Sequence, residues 1–354
     1  MELGLEKRLA KIEAVLDAWL PEQGGGPWQE KVFGAPGGGF AGPKEEASLS
    51  GPGRDLVTRG GKRGRPLLMT LVAVGLGGGE RALGLVPLVE FPHNASLIHD
   101  DIEDNSDERR GGPAVHLIYG NDTAINSGSF LYFLPLCCLA SWEAPAERKN
   151  RIYEIWGRYM RRLHLGQAMD ISWHRDFDSL PGLDEYDRMC RLKTGCLAGL
   201  AAVLGVYGAM GASLSPAGED HAAALLGEAA EHLGVGFQIL DDVKNLSTGV
   251  PGKKRGDDIV EGKKSLPVLL YLQGPPARRE LVKRCFRGAR QGGVEVPEVG
   301  ELIGELESSG ALEEARSRGE RLIRESRAVF GGQGDVPLNE ESRELLARLT
   351  DFIS

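Results

Sequence analysis

The chain has 354 residues, with 42 Lys and Arg against 51 Asp and Glu, a formal net charge of −9 at pH 7. That acidic balance argues against an electrostatic nucleic-acid binder, and a hydrophobic share of 41% excludes a globally disordered chain. Five cysteines, an odd number with no CxxC, offer neither a disulfide framework nor a structural zinc site.

Leu5, Leu9, Ile12, Leu16 and Leu20 recur every three to four residues and predict an amphipathic helix over 1–20. Its mixed charges are unlike a signal peptide, which points to a cytoplasmic setting. Residues 23–53 hold two GGG runs, several Pro and few apolar anchors, and predict a flexible linker or lid. Beyond them, apolar periodicity predicts helices over 64–77, 84–104, 121–142, 147–172, 184–212, 218–247, 263–273, 277–290, 297–329 and 339–353. Pro92 falls inside one of these, removes a backbone hydrogen bond and predicts a kink near 88–92. The uncharged run from Thr194 to Gly218 is long enough to span a bilayer. Its glycines, Pro216 and polar residues predict instead a buried core helix followed by a loop, with no stable membrane insertion. No regular series of period-two strands and no internal repeat is present. The fold class is all-α: one large domain over 54–354, preceded by the N-terminal helix and Gly/Pro-rich segment of 1–53.

The sharpest chemical feature is LIHDDIEDNSDERR. On a helix Asp100 and Asp104 are four apart and Asp101 and Asp104 three apart, so all three can share one face. Like charges at that spacing destabilise a helix unless neutralised. Mg²⁺ is a natural partner, since it takes one or two carboxylates together with substrate phosphates. The bland alternative is a solvated acidic helix end, but Arg109 and Arg110 follow within ten residues. A second cluster, Asp241 and Asp242 in GFQILDDVKN, ends another apolar helix, with Gln238 one turn before. Two such clusters on separate helices could face one another across a bundle cavity and hold several Mg²⁺ around one diphosphate.

GGKRGRP places Lys62, Arg63 and Arg65 in a loop entering a helix, and arginine forks suit phosphate geometry. Lys193-Thr194-Gly195 opens a Gly-rich apolar helix, and a charged loop runs from Lys253 to Lys264. No GxxxxGK[ST], GxSxG or HExxH occurs, which leaves P-loop, hydrolase-triad and zinc-protease chemistries unsupported.

GGKRGRP, HNASLIHDDIEDNSDERRGGPAVH, GQAMD, KTG, GFQILDD and GDDIVEGKKSLP, in that order over roughly 54–350, resemble the trans-isoprenyl diphosphate synthase (polyprenyl synthetase) family, and its geranylgeranyl diphosphate synthases in particular. The resemblance implies a single large helical bundle with a central active-site cavity, commonly a homodimer. It implies a prenyltransferase that condenses isopentenyl diphosphate with allylic diphosphates, with about three Mg²⁺ ions expected when diphosphate is bound. It further implies that Asp100, Asp101, Asp104, Asp241 and Asp242 bind metal. Lys62, Arg65, His93 and Arg110 match positions that hold isopentenyl diphosphate. Arg109, Lys193, Thr194, Gln238, Lys253 and Lys263 match positions that hold the allylic diphosphate, and the last five of these are the candidate catalytic residues. Ala95 and Ser96 stand where bulky aromatics stop the growing chain in short-product members; small residues imply a geranylgeranyl or longer product. Two departures matter: Asn245 stands where many members carry the last Asp of the second motif, and Ser129 where an acid is frequent. A terpene cyclase on the same scaffold, or a non-catalytic partner subunit, are the competing readings. The retained Lys62, Arg65 and Arg110 speak against the first, and the retained Asp100 and Asp104 against the second.

Overall fold

The computed structural model describes residues 2–34, 41–178, 180–210, 214–249 and 254–353. In chain order the helices are α1 (Glu2–Trp19), α2 (Gly25–Phe33), α3 (Pro43–Thr58), α4 (Gly64–Gly75), α5 (Pro87–Glu103), α6 (Val115–Tyr119), α7 (Asn121–Ser141), α8 (Ala146–Arg175), α9 (Leu183–Cys190), α10 (Cys196–Gly208), α11 (Pro216–Ser247), α12 (Asp257–Glu261), α13 (Leu266–Tyr271), α14 (Ala277–Gly292), α15 (Pro297–Ser308), α16 (Ala311–Phe330) and α17 (Glu340–Ile353). The only strands among the described residues form one antiparallel ladder, β1 (Glu108–Arg109) on β2 (Gly112–Pro113). The architecture is all-α.

Two compact units divide the chain: Met1–Gly157, Leu200–Gly227 and Gly334–Ile353 in the first, Arg158–Gly199 and Glu228–Gln333 in the second. In the first unit α5 and α3 pack on α7, and α1 and α17 pack on α4. The predicted stripe of α1 is the packed one, with Ile12, Leu16 and Leu20 buried. Gly53 lets α3 approach α7, because a Cβ there would lie 2.9 Å from the Leu131 side chain.

Helix α5 continues through Pro92. A proline at 92 leaves the carbonyl of Leu88 without its helical donor. The Trp156 indole N–H donates to that carbonyl at 3.0 Å, so the orphaned acceptor is satisfied from outside the helix.

In the second unit Val235, Ile239, Val243, Phe286, Leu302 and their neighbours form one buried core. Between α9 and α10 the chain takes a π-helical course over Arg191–Gly195. Gly166 permits it, since a Cβ at 166 would stand 2.4 Å from the backbone nitrogen of Lys193. The expected single helix over 184–212 is therefore three pieces. The expected helix over 297–329 also divides, at Ser309 and Gly310, where Gly310 takes φ +76°.

The Gly/Pro-rich stretch 23–53 departs most from expectation: α2 and α3 form within it, while 35–40 lie outside the described residues. The reason is tertiary. The Glu46 carboxylate accepts from the backbone N–H groups of Gly24 (2.7 Å) and Gly25 (3.1 Å) and from the Gln29 amide (2.8 Å). The Trp28 indole donates to the Trp19 carbonyl at 3.0 Å. Side chains thus cap a segment whose own composition favours a loop.

Helix α7 and the segment Leu183–Gly208 are long and apolar enough to cross a membrane by length and composition, but 78% of the latter is buried inside the protein. It is a core segment here.

Replacing Trp156 with Phe leaves the Leu88 carbonyl buried without a donor and should lower stability by about 1–3 kcal/mol in chemical denaturation. In a Pro92→Ala background, where the backbone N–H returns, the same substitution should cost less.

Candidate functional site

In the first unit Asp100 and Asp104 sit one turn apart at the end of α5, with the Asp104 N–H donating to the Asp100 carbonyl at 2.8 Å. The helical period puts both on one face with His93. Asp101 has different surroundings. It is fully buried, and its carboxylate accepts from Arg109 Nε at 3.0 Å and from the same guanidinium's Nη2. Burial disfavours the Arg109 charge, but the bond to Asp101 and the charges of Asp101, Asp100 and Asp104 hold its pKa above the ordinary arginine value.

Arg110 follows Arg109 yet goes elsewhere, because the two lie at the tip of the β1–β2 hairpin. Arg110 (φ +53°) and Gly111 (φ +73°) are both left-handed, as a two-residue hairpin turn of the primed type requires. The Arg110 side chain donates to the Leu56 carbonyl and to Asn94 Oδ1, each at 2.9 Å. Burial pushes its pKa down to about 10; Glu90 opposes the fall, and Arg63, Arg109 and Arg65 deepen it. Arg65 Nη1 lies 3.3 Å from His93 Nε2. Burial, then the charges of Arg65, Arg110, Arg109 and Arg63, hold the His93 pKa well below the usual histidine value. The imidazole is therefore neutral, accepting at Nε2 from Arg65.

Of the three cations in the 62–65 loop, Lys62 is exposed, while Arg63 is buried as the N-cap of α4 with φ +47°. Arg63 pairs with Glu13 and Glu90, each at 2.7 Å, and donates to the Val57 carbonyl at 2.6 Å. It anchors the loop instead of facing a ligand.

The second unit gathers a different set. Lys193 pairs with Asp170 at 2.5 Å, and His174 reaches the other oxygen of Asp170 at 2.7 Å. Burial would raise the Asp170 pKa, but Lys193, His174 and Lys263 pull it far below the carboxylate range. The Thr194 hydroxyl donates to Gln238 Oε1 at 2.9 Å, and Gln238 Nε2 donates to Asp242 Oδ1 at 2.9 Å. Asp242 also accepts from the Tyr186 hydroxyl at 2.7 Å. It is buried, whereas Asp241 is exposed. Burial and the neighbouring Asp258 push the Asp242 carboxyl up to about 7. Its two oxygens accept from Gln238 and Tyr186. Lys263 pairs with Asp258 and Glu261. Lys253 lies outside the described residues.

Among the described residues no three His, Cys, Asp or Glu side chains form a metal cage. Mg²⁺ needs none, since one or two carboxylates with phosphate and water oxygens complete its shell. The one-turn pair Asp100 and Asp104 fits that requirement. Asn245 stays neutral and buried: its Oδ1 accepts from the Asp258 N–H at 3.3 Å. Ser129 is half-buried on α7. Ser96 lies one turn before Asp100 on nearly the same side, and its hydroxyl donates to the His93 carbonyl at 2.9 Å. Ala95 is fully buried, about 140° around the helix from Asp100.

The sequence reading passed over four supporting residues: Glu90, Asn94, Asp170 and Tyr186. Two had a signal, since Glu90 and Asn94 are polar residues four apart inside an apolar run and both are buried.

The profile of the polyprenyl synthetase family matches residues 46–303. A geranylfarnesyl diphosphate synthase of Aeropyrum pernix is 33% identical over 314 residues, 86% of this chain and 93% of that protein. A geranylgeranyl pyrophosphate synthase of Geoglobus acetivorans is 33% identical over 316 residues, 88% of this chain and 91% of its own. Among solved structures, the geranylgeranyl pyrophosphate synthetase of Pyrococcus horikoshii superposes with a TM-score of 0.77 at 28% identity, covering 99% of this chain and 98% of its own.

His93 gives a pH prediction with a definite sign. Its folded pKa is depressed, so below about 6.5 the unfolded chain binds the extra proton and the folded one does not. Stability should therefore fall as pH drops from 7 to 5, by up to about 1.4 kcal/mol per pH unit from this group. Urea denaturation should show that share of the slope vanish in His93→Gln, and NMR titration should show the His93 pKa rise when inorganic pyrophosphate is added.

Proposed function

The chain belongs to the polyprenyl synthetase family, and from that premise we propose a division of labour among its residues in the head-to-tail condensation of isopentenyl diphosphate with an allylic diphosphate. The enzyme is a trans-prenyltransferase whose product is geranylgeranyl diphosphate or longer. The observation that carries the residue roles is one cluster in the first unit: Arg65, neutral His93 and Arg110 beside Arg109, which Asp101 ties to the Asp100 and Asp104 end of α5.

In this reading Lys62, Arg65, His93 and Arg110 hold isopentenyl diphosphate. Neutral His93 donates from Nδ1 to a phosphate oxygen while Nε2 is fixed by Arg65. In the second unit Lys193, Thr194, Gln238 and Lys263 bind the allylic diphosphate, and in the first unit Arg109 is the group matched to that substrate. Asp100 and Asp104 in the first unit bind Mg²⁺, as does Asp241 in the second, with about three ions expected in all. Bound Mg²⁺ supplies positive charge that makes diphosphate a competent leaving group. The cations stabilise the negative charge that develops as the allylic C–O bond breaks. The double bond of isopentenyl diphosphate then forms the new C–C bond, and a proton leaves to the departing pyrophosphate. No side-chain nucleophile is required.

The chain acts as a cytoplasmic homodimer without membrane insertion. Support for the dimer lies on α6 and α7, where Leu117, Ile118 and Ile125 are exposed and Phe133 is 66% exposed. Exposed large apolar side chains on these two consecutive helices fit a second copy of the same chain. The five unbridged cysteines fit a reducing compartment.

The purified protein, given Mg²⁺, isopentenyl diphosphate and C5, C10 or C15 allylic diphosphates, should yield linear products of C20 or longer by mass spectrometry. Cyclic hydrocarbon without elongation would favour the cyclase, and no turnover the partner subunit. Ser96→Phe should shorten the dominant product; an unchanged product would remove the role given to Ser96.

Phe133→Glu should convert a dimer into monomer in light scattering. A wild-type monomer at micromolar concentration would refute the assembly.

A further inference from the structure

Four arginines meet around the hairpin of the first unit, and carboxylates match three of them. Arg59 pairs with Asp55 at 2.8 Å, Arg63 with Glu13 and Glu90 at 2.7 Å, and Arg109 with Asp101. Arg110 is held differently. Both acceptors of its hydrogen bonds, the Leu56 carbonyl and Asn94 Oδ1, are neutral. A guanidinium bonded to a carboxylate has already met an opposite charge. One bonded to amide oxygens is oriented and keeps its full charge for an incoming anion.

The orientation of the Asn94 amide is fixed from its other side. Asn94 is fully buried on α5, and its Nδ2 donates to the Glu90 carbonyl at 2.7 Å and to Glu90 Oε1 at 3.1 Å. Glu90 is itself fixed by Arg63 at 2.7 Å. Turning the amide over would set Oδ1 against the Glu90 oxygens and an NH₂ against the guanidinium. Only the observed orientation satisfies both neighbours. The hairpin turn fixes the Arg110 backbone, at φ +53°. Asn94 and the Leu56 carbonyl fix the far end of the side chain.

We propose that Asn94 is a positioning residue for Arg110: its neutral amide aims the guanidinium at the isopentenyl diphosphate site without neutralising it. The proposal rests on the reading of this basic cluster as that site. An acid at 94 would pair with Arg110 and oppose Glu90. An apolar residue would leave Arg110 with one anchor in place of two.

The test is a double-mutant cycle in the condensation assay, with Asn94→Ala, Arg110→Ala and the double variant. Asn94→Ala should raise the KM for isopentenyl diphosphate about tenfold or more, the scale of a lost hydrogen bond to a charged group. The KM for geranyl diphosphate should stay within about twofold. The double variant should be no worse than Arg110→Ala alone, because Asn94 acts through Arg110. An unchanged KM, a parallel rise in both KM values, or additive effects would overturn the proposal. If circular dichroism shows Asn94→Ala unfolded, Asn94→Asp, which keeps the shape, enters the same cycle and should raise the same KM by neutralising Arg110. If the unmodified protein condenses nothing, the functional assignment fails and this proposal with it. If it condenses normally and the cycle is additive, this proposal alone fails.

Discussion

The buried ion pair of Arg63 and Glu90 is the interaction on which the first unit's site depends. Their side chains are 1% and 3% exposed. A buried pair gains little net stability over a well-packed apolar replacement, but losing one partner typically costs about 3–5 kcal/mol. What it provides here is geometry. Arg63 joins Glu13 of α1 and the Val57 carbonyl of α3, and Glu90 passes the connection along α5 to Asn94 and so to Arg110. Three helices, the α4 N-cap and the hairpin share one satisfied polar network. The Arg110 guanidinium is therefore oriented by bonds within the fold itself.

The second unit uses acids where the first uses an arginine. Asp170 is buried and holds Lys193, while Asp242 is buried and holds Gln238, which in turn holds Thr194. The π-helical course over Arg191–Gly195 sets Lys193 and Thr194 off the regular helical register. Wide turns of this kind recur where a helix presents backbone or side chains to a ligand. Gly166 is the structural condition for it, since α8 passes too close to Lys193 for any side chain at that position.

Much of this was legible in the sequence, and the limits have physical causes. The apolar stripe of α1 and the placement of Asp100 and Asp104 follow from the 3.6-residue period, which is local. The helices α2 and α3 were not legible, because Glu46 and Trp28 stabilise them through contacts that composition does not encode. The π-helical stretch depends on a glycine some 25 residues away in the chain, Gly166. That Arg63 turns inward while Lys62 stays exposed depends on two acids, Glu13 and Glu90, whose proximity only the fold creates.

The charged doublets of the motifs sharpen that point. Asp101 is buried beside half-exposed Asp100, Asp242 beside exposed Asp241, and Arg63 beside exposed Lys62. Lys264 is buried under Phe286, its ammonium 4.5 Å from the ring centroid, beside Lys263. On α5 and α11 successive side chains diverge by about 100°, so the two acids of each doublet point apart, whereas Lys62–Arg63 and Lys263–Lys264 lie in loops. One member turns into the protein and must be satisfied there: Asp101 by Arg109, Asp242 by Tyr186 and Gln238, Arg63 by Glu90 and Glu13. The inward member then holds the groups around it. In the two acidic doublets one member is buried and partnered within the fold, and the other lies nearer the surface. Asp101 and Asp242 are thus the carboxylates that keep their neighbours in place, the first holding Arg109 and the second Tyr186 and Gln238.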